Sequence, residues 1–125
     1  DLCGSLSVIG DLYKTEAFEL CRYINRDKEI IPWHTINKPP SAELRPNQQD
    51  TDSLPDYPVL DAILYQHIEL SKSAEEIIEQ GFDEVVVNKV VRMVYRNDFK
   101  RFQLAPVLAI SPKPFAMREM PIVKK

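Results

Sequence analysis

A chain of 125 residues with a formal charge of -3, 44% hydrophobic and 28% charged, has the size and make-up of one soluble globular domain or a piece of a larger one. That balance supplies no positive field of the kind that gathers nucleic acid, and no apolar run approaches the roughly 20 residues needed to cross a bilayer as a helix. Cys3 and Cys21 sit in neither a CxxC pair nor a histidine cluster, which suggests a reducing compartment rather than a disulfide scaffold, and no basic stretch leads into an apolar segment as a secretory signal would.

In chain order, residues 2–10 (LCGSLSVIG) are small and mildly apolar and read as a short strand or an extended loop. Helical spacing then begins. Tyr13, Ala17, Leu20 and Ile24 recur on one face, with Lys14, Glu16, Glu19 and Arg22 mostly off it, so a helix is predicted at about 13–25. Cys21 reads as a small apolar residue on that helix. From Pro32 to Asp56 there is no glycine and no sustained period, and Pro32, Pro39, Pro40, Pro46 and Pro55 are half of the chain's ten prolines. A stretch of that length without regular structure is a functional loop, a disordered one or a passive linker.

Leu60, Ile63, Leu64, His67 and Ile68 share the face of a second helix, with Pro58 acceptable in its first turn. His67 lies on the apolar stripe and is expected as a hydrogen-bonded core histidine rather than a metal ligand. Ser73 and Glu76 spell a capping box for a short helix ending at Gly81. Asp83 then caps the strongest helical pattern, whose buried side is expected to be Val86, Val90, Met93 and Val94. Asn97 and Asp98 restart the chain as a short helix carrying Lys100, Arg101 and Gln103, stopped before Pro106. Residues 106–125 read as an extended tail whose Val107, Leu108, Ile110 and Phe115 need a surface to lie on, and this chain offers little of one. The stretch is therefore expected to be mainly α: four helices besides the short one after Asn97, a long loop at about 32–56 and a tail.

Cations at segment ends carry what chemistry the residues suggest. Lys14 opens a helix, where the macrodipole already places partial positive charge. Backbone amides and an ammonium facing one point would suit a phosphate, although on the residues alone the favoured reading of Lys14 is one solvated lysine among many. Lys38 and Arg45 flank the segment PPSAEL. Within it, Ser41 and Glu43 either meet a nucleotide or cap the loop's own backbone. Asp50, Thr51 and Asp52 lack the glycine and distal glutamate of a calcium loop and read as solvated. A glycine-rich phosphate cradle, a nucleophile triad and zinc spacing are all absent from the chain, so a self-sufficient enzyme is not expected.

Four stretches together resemble the last part of the NAD synthetases: VIGDLYKTEAF, the long INKPPSAELRPNQQDTDSLPDYPVLDAIL, NDFKRFQLAP and the closing MPIVKK. The resemblance covers almost the whole chain, and the form of the long stretch and of the tail is closer to glutamine-dependent members. It implies the C-terminal helical portion of an α/β adenine-nucleotide α-hydrolase-like domain (N-type ATP pyrophosphatase), in which ATP and magnesium adenylate deamido-NAD and ammonia then displaces AMP. By motif position, it implies that Lys14, Ser41 and Glu43 contact ATP, the last two from a loop that closes over the substrates. It likewise implies that Lys100, Arg101 and Asp1 contact deamido-NAD. Magnesium would be bound mainly by the missing part of the domain, and ammonia would come from glutamine through a separate amidase domain. The enzyme would be a cytoplasmic homo-oligomer without nucleic-acid or membrane partners. Ser5 and Phe99 depart from the aspartate and histidine of some ammonia-dependent relatives, so contacts to the pyridine end do not carry over. The Ser-Gly-Gly-x-Asp-Ser pyrophosphate loop and the amidase nucleophile are not in these residues, and the 125-residue chain alone is expected neither to make NAD nor to hydrolyse glutamine. Two other readings remain: a noncatalytic helical interaction module using Leu60–Ile68 and Val86–Val94, or part of another ATP-dependent amidotransferase.

Overall fold

The computed structural model describes residues 4–114. Asp1, Cys3 and residues 115–125 of the expected tail lie outside the described residues. Among these, the chain is helical and without a strand, as expected: α1 is Lys14–Ile24, α2 Trp33–Asn37, α3 Tyr57–Ile68, α4 Ala74–Ile78 and α5 Glu84–Asn97. Short 3-10 turns cover Asp50–Asp52 and Asp98–Gln103. The chain divides into two compact units, one of Tyr13–Asp61 and one made from residues before and after it.

In the Tyr13–Asp61 unit, α1 begins where two amides find carboxylates. The Tyr13 N–H donates to Glu16 Oε2 at 2.9 Å, and the Thr15 N–H donates to Asp61 Oδ2 at 2.8 Å. Amides of a first helical turn have no intrahelical partner, so acids placed there satisfy them and complement the dipole. Tyr13 is buried, while Leu20 and Ile24 on the same face are 40% and 36% exposed. Past the end of α1, the buried Asn25 organises the reversal: its Oδ1 accepts from the amides of Ile30 and Ile31 at 2.9 Å each, and its Nδ2 donates to the Ile31 carbonyl at 2.7 Å. The chain then enters α2, whose Ile36 is buried and which packs against α1. α2 falls inside the stretch expected to be irregular. Five residues opened by Pro32, whose carbonyl accepts from Thr35 at 2.9 Å, are too short to display a helical period.

In the other unit, Ile63, Ile77, Val87 and Val90 are essentially inaccessible to solvent, and α4 packs against α5. Burying each such side chain contributes about 2 kcal/mol. Val87 takes the central place expected of Val86, which is half-buried, as are Met93 and Val94. The caps are those read from the sequence. Ser73 Oγ accepts from the Glu76 amide at 3.2 Å while Glu76 Oε2 accepts from the Ser73 amide at 2.8 Å, which holds the Glu76 carboxyl below its usual range. The short helix stops at Ile78, three residues before the expected Gly81, which takes the left-handed φ of +95° in the following turn. Asp83 Oδ1 accepts from the Val86 amide at 2.9 Å. Asp83→Ala should therefore lower stability by about 1 kcal/mol, measured as a lower thermal midpoint. His67 is a core histidine: its Nδ1–H donates to the Lys72 carbonyl at 2.9 Å, and its ring meets Tyr95 edge-on at 5.9 Å.

The segment after Pro106 does find support within this unit. Ser7 and Val107 form an isolated parallel bridge, with Ser7 N donating to the Pro106 carbonyl at 2.8 Å. Asp11, 2% exposed, accepts from the amides of Ile110 and Ser111 at 2.9 and 2.7 Å. Gly10 is required for this approach, since a Cβ there would stand 2.5 Å from Ser7 Oγ and 3.0 Å from Val107 Cγ2. Of the opening stretch read as strand or loop, residues 4–10 are thus a loop with one bridging residue, and they carry a surface for the part of the tail that is described.

Candidate functional site

Lys14 is the first residue of α1, and its side chain is exposed. Its ammonium lies 5.5 Å from the Phe18 ring centroid and 5.7 Å from that of Tyr57. Both distances fall within cation–π range, so the exposed charge rests beside two aromatic faces. The expected pairing of this ammonium with helix amides is altered, because the amides of Tyr13 and Thr15 are already donated to Glu16 and Asp61. A phosphate at this end would depend on the lysine itself.

The same unit holds the proline-rich loop. Asp50 closes it: the Asp50 amide donates to the Pro40 carbonyl at 2.9 Å. Within the closed segment Ser41 Oγ accepts from the Glu43 amide at 3.1 Å, and the Leu44 amide donates to Gln48 Oε1 at 3.0 Å. Glu43 and Asn47 have left-handed φ values of 53° and 57°, unusual for residues with a Cβ. The Glu43 carboxylate pairs with Lys38, whose hydrogen bond and charge hold the Glu43 carboxyl below its ordinary range. That contact is present at neutral pH and is lost as pH falls through the lowered value. Ser41 therefore does cap the loop's own backbone, whereas the Glu43 carboxylate goes to the Lys38 ammonium. Ser41 and Glu43 also line an open concavity of about 550 Å³, together with Lys38, Leu44 and Arg45, large enough for a nucleotide.

One residue of this site, Tyr57, is not singled out by the sequence. Tyr57 donates its hydroxyl to Asp50 Oδ2 at 2.5 Å. Asp50, read as solvated, is half-buried by that contact. Burial first, then the hydrogen bond and charge of Asp50 and the charge of Asp61, raise the Tyr57 pKa well above the ordinary phenol range.

Lys100 and Arg101 belong to the other unit, on the turn Asp98–Gln103. They diverge in environment. Lys100 is exposed, whereas the Arg101 guanidinium donates to Asp98 Oδ2 at 2.9 Å, with the two side chains 11% and 7% exposed. Among the described residues no three His, Cys, Asp or Glu side chains gather as a metal site would require. No residue here is assigned to magnesium. Among the described residues no helix is long and apolar enough to cross a membrane.

An exposed ammonium at a helix start and, in the same unit, a loop that lines an open concavity are features a phosphate-bearing ligand could use. The fold agrees. A glutamine-dependent NAD+ synthetase from Acinetobacter baumannii, solved in complex with ADP, matches with a TM-score of 0.54 and 41% identity, covering 90% of this chain and 19% of that one. These helices are thus the helical portion of an adenine-nucleotide α-hydrolase-like fold.

The NAD synthase family model matches residues 1–104, and the chain belongs to that family. It is 48% identical to the glutamine-dependent NAD(+) synthetase of Synechocystis over 99% of this chain, and 51% identical to that of Acinetobacter baylyi over 98%. The corresponding enzyme of Thermotoga maritima is 44% identical over the whole chain. The chain spans 22% of the Synechocystis and Thermotoga relatives and 23% of the Acinetobacter baylyi one.

Proposed function

We propose that this chain serves a glutamine-dependent NAD synthetase, supplying part of the site that amidates deamido-NAD. Lys14, Ser41 and Glu43 contact ATP, with residues 32–56 as the covering loop. Lys100 contacts deamido-NAD with Arg101 beside it, and Asp1, outside the described residues, stands at the edge of that substrate. A nicotinate carboxylate oxygen attacks the α-phosphorus, pyrophosphate leaves, ammonia then attacks the acyl carbon, and AMP departs. Negative charge gathers on the phosphates in the first step, where a fixed ammonium stabilises it without moving a proton. A covering loop keeps water from the acyl-adenylate. Magnesium is left to the remainder of the enzyme, and ammonia reaches the site from glutamine through an amidase domain. The enzyme is read as a cytoplasmic homo-oligomer, its free Cys21 in keeping with a reducing compartment.

The observation that supports this reading is the Lys14 ammonium set over Tyr57 at the start of α1, in the unit that contains the loop concavity. The full-length protein, given deamido-NAD, ATP, magnesium and either glutamine or ammonium, should form NAD and AMP in equal amounts. The 125-residue chain alone should form neither. No NAD with either nitrogen donor rejects the proposal, and amidation of a different acid in its place points to another amidotransferase.

A further inference from the structure

Tyr57 joins parts of its unit that are far apart in the chain. Its hydroxyl donates to Asp50 at 2.5 Å, and its ring centroid lies 5.7 Å from the Lys14 ammonium. Asp50 is also where the proline-rich loop closes on itself. Its amide reaches the Pro40 carbonyl at 2.9 Å, and its carbonyl accepts from Ser53 at 3.1 Å and Leu54 at 2.9 Å. The loop between is held by contacts its own exposed residues make: Glu43 to Ser41, Leu44 to Gln48 and Lys38 to Glu43. Anchored from the side of α3, the loop therefore depends on its Asp50 end, and the side chain there is gripped by a phenol. A tyrosine hydroxyl is protonated throughout the neutral range in any case, so the phenol is available there as a donor to Asp50.

We infer that Tyr57 is a positioning residue of the ATP site proposed above, holding the loop through Asp50 with its hydroxyl and aiming the Lys14 ammonium with its ring. The inference rests on that reading. A loop released from its anchor spends less time in the binding-competent arrangement, and apparent affinity falls by the fraction lost.

The test uses the full-length synthetase with ammonium as nitrogen donor, so that glutamine hydrolysis does not intervene. Tyr57→Phe keeps the ring and deletes the hydroxyl. KM for ATP should rise about tenfold, with KM for deamido-NAD unchanged and the thermal midpoint lowered by no more than the loss of that one bond. Asp50→Ala should give the same rise, and the double variant no more than either single one, because both remove one bond. Tyr57→Leu, which also removes the ring under Lys14, should add a loss of kcat. If ATP KM stays within about twofold of wild type in Tyr57→Phe and Asp50→Ala while Lys14→Ala is impaired, the anchor is overturned and the ATP site stands. If Lys14→Ala is silent as well, both fall. Additive effects in the double variant, or equal rises in both KM values with a lowered midpoint, make Tyr57 a packing residue and likewise overturn the inference.

Discussion

Lys14→Ala in the full-length synthetase is expected to lower kcat/KM for ATP by about 100-fold, the scale of deleting one positioned donor from a site where charge develops. The side chain is exposed and stacked beside Phe18 and Tyr57, so its removal leaves no cavity. A cation–π contact at an exposed position is worth about 0.5–1 kcal/mol, which limits the accompanying loss of stability. Activity and thermal midpoint should therefore separate, the first falling steeply and the second barely moving. Lys14→Arg should recover part of the rate, since the charge returns with a planar, differently spaced head. The neighbouring amides cannot compensate for a lost ammonium, because those of Tyr13 and Thr15 are donated to Glu16 and Asp61. Steady-state kinetics with ammonium as donor decide the matter. A variant within about threefold of wild type removes Lys14 from the site.

What was legible in the sequence was what is local. Ser73 and Glu76, or Asp83 and Val86, are three residues apart, and their caps follow from residue type and spacing. α1 lies within one residue of its expected bounds at each end, because its charges and apolar positions repeat over three turns. What was not legible is polar and long-range. Asp61 reaches the Thr15 amide across 46 residues, and Asp11 holds Ser111 across 100. No period or motif announces such a bond, since any surface aspartate looks the same in a sequence. Tyr57 was hidden for a similar reason: an aromatic residue at a helix start is an ordinary packing residue until its hydroxyl partner is known. α2 escaped because five residues cannot show a period. Ser41 and Glu43 are readable as a pair in an irregular loop, and the capping role their residue types allow is taken by Ser41 alone, Glu43 going to Lys38. Their assignment to ATP comes from resemblance and is the part that kinetics must supply.

The adjacent cations Lys100 and Arg101 should part company when each is replaced by alanine. Arg101→Ala removes the partner of Asp98, whose side chain is 7% exposed. A buried carboxylate left without its cation is far costlier than a lost surface pair, on the order of 3 kcal/mol. The variant should unfold several degrees earlier, and its folded fraction should bind deamido-NAD with much of its affinity retained, because the guanidinium is already committed to Asp98. Lys100→Ala should do the opposite. The exposed ammonium supports no buried group, so the thermal midpoint should hold, while KM for deamido-NAD rises about tenfold as a charge-assisted contact is lost. Replacing Asp98 together with Arg101 by apolar residues should recover much of the stability lost in Arg101→Ala, since no charge is then stranded. Thermal melts and substrate titrations of the three full-length variants give both readouts. If Arg101→Ala lowers affinity strongly with no change in midpoint, the Asp98 pair is not what holds Arg101, and the guanidinium is a direct contact to the dinucleotide.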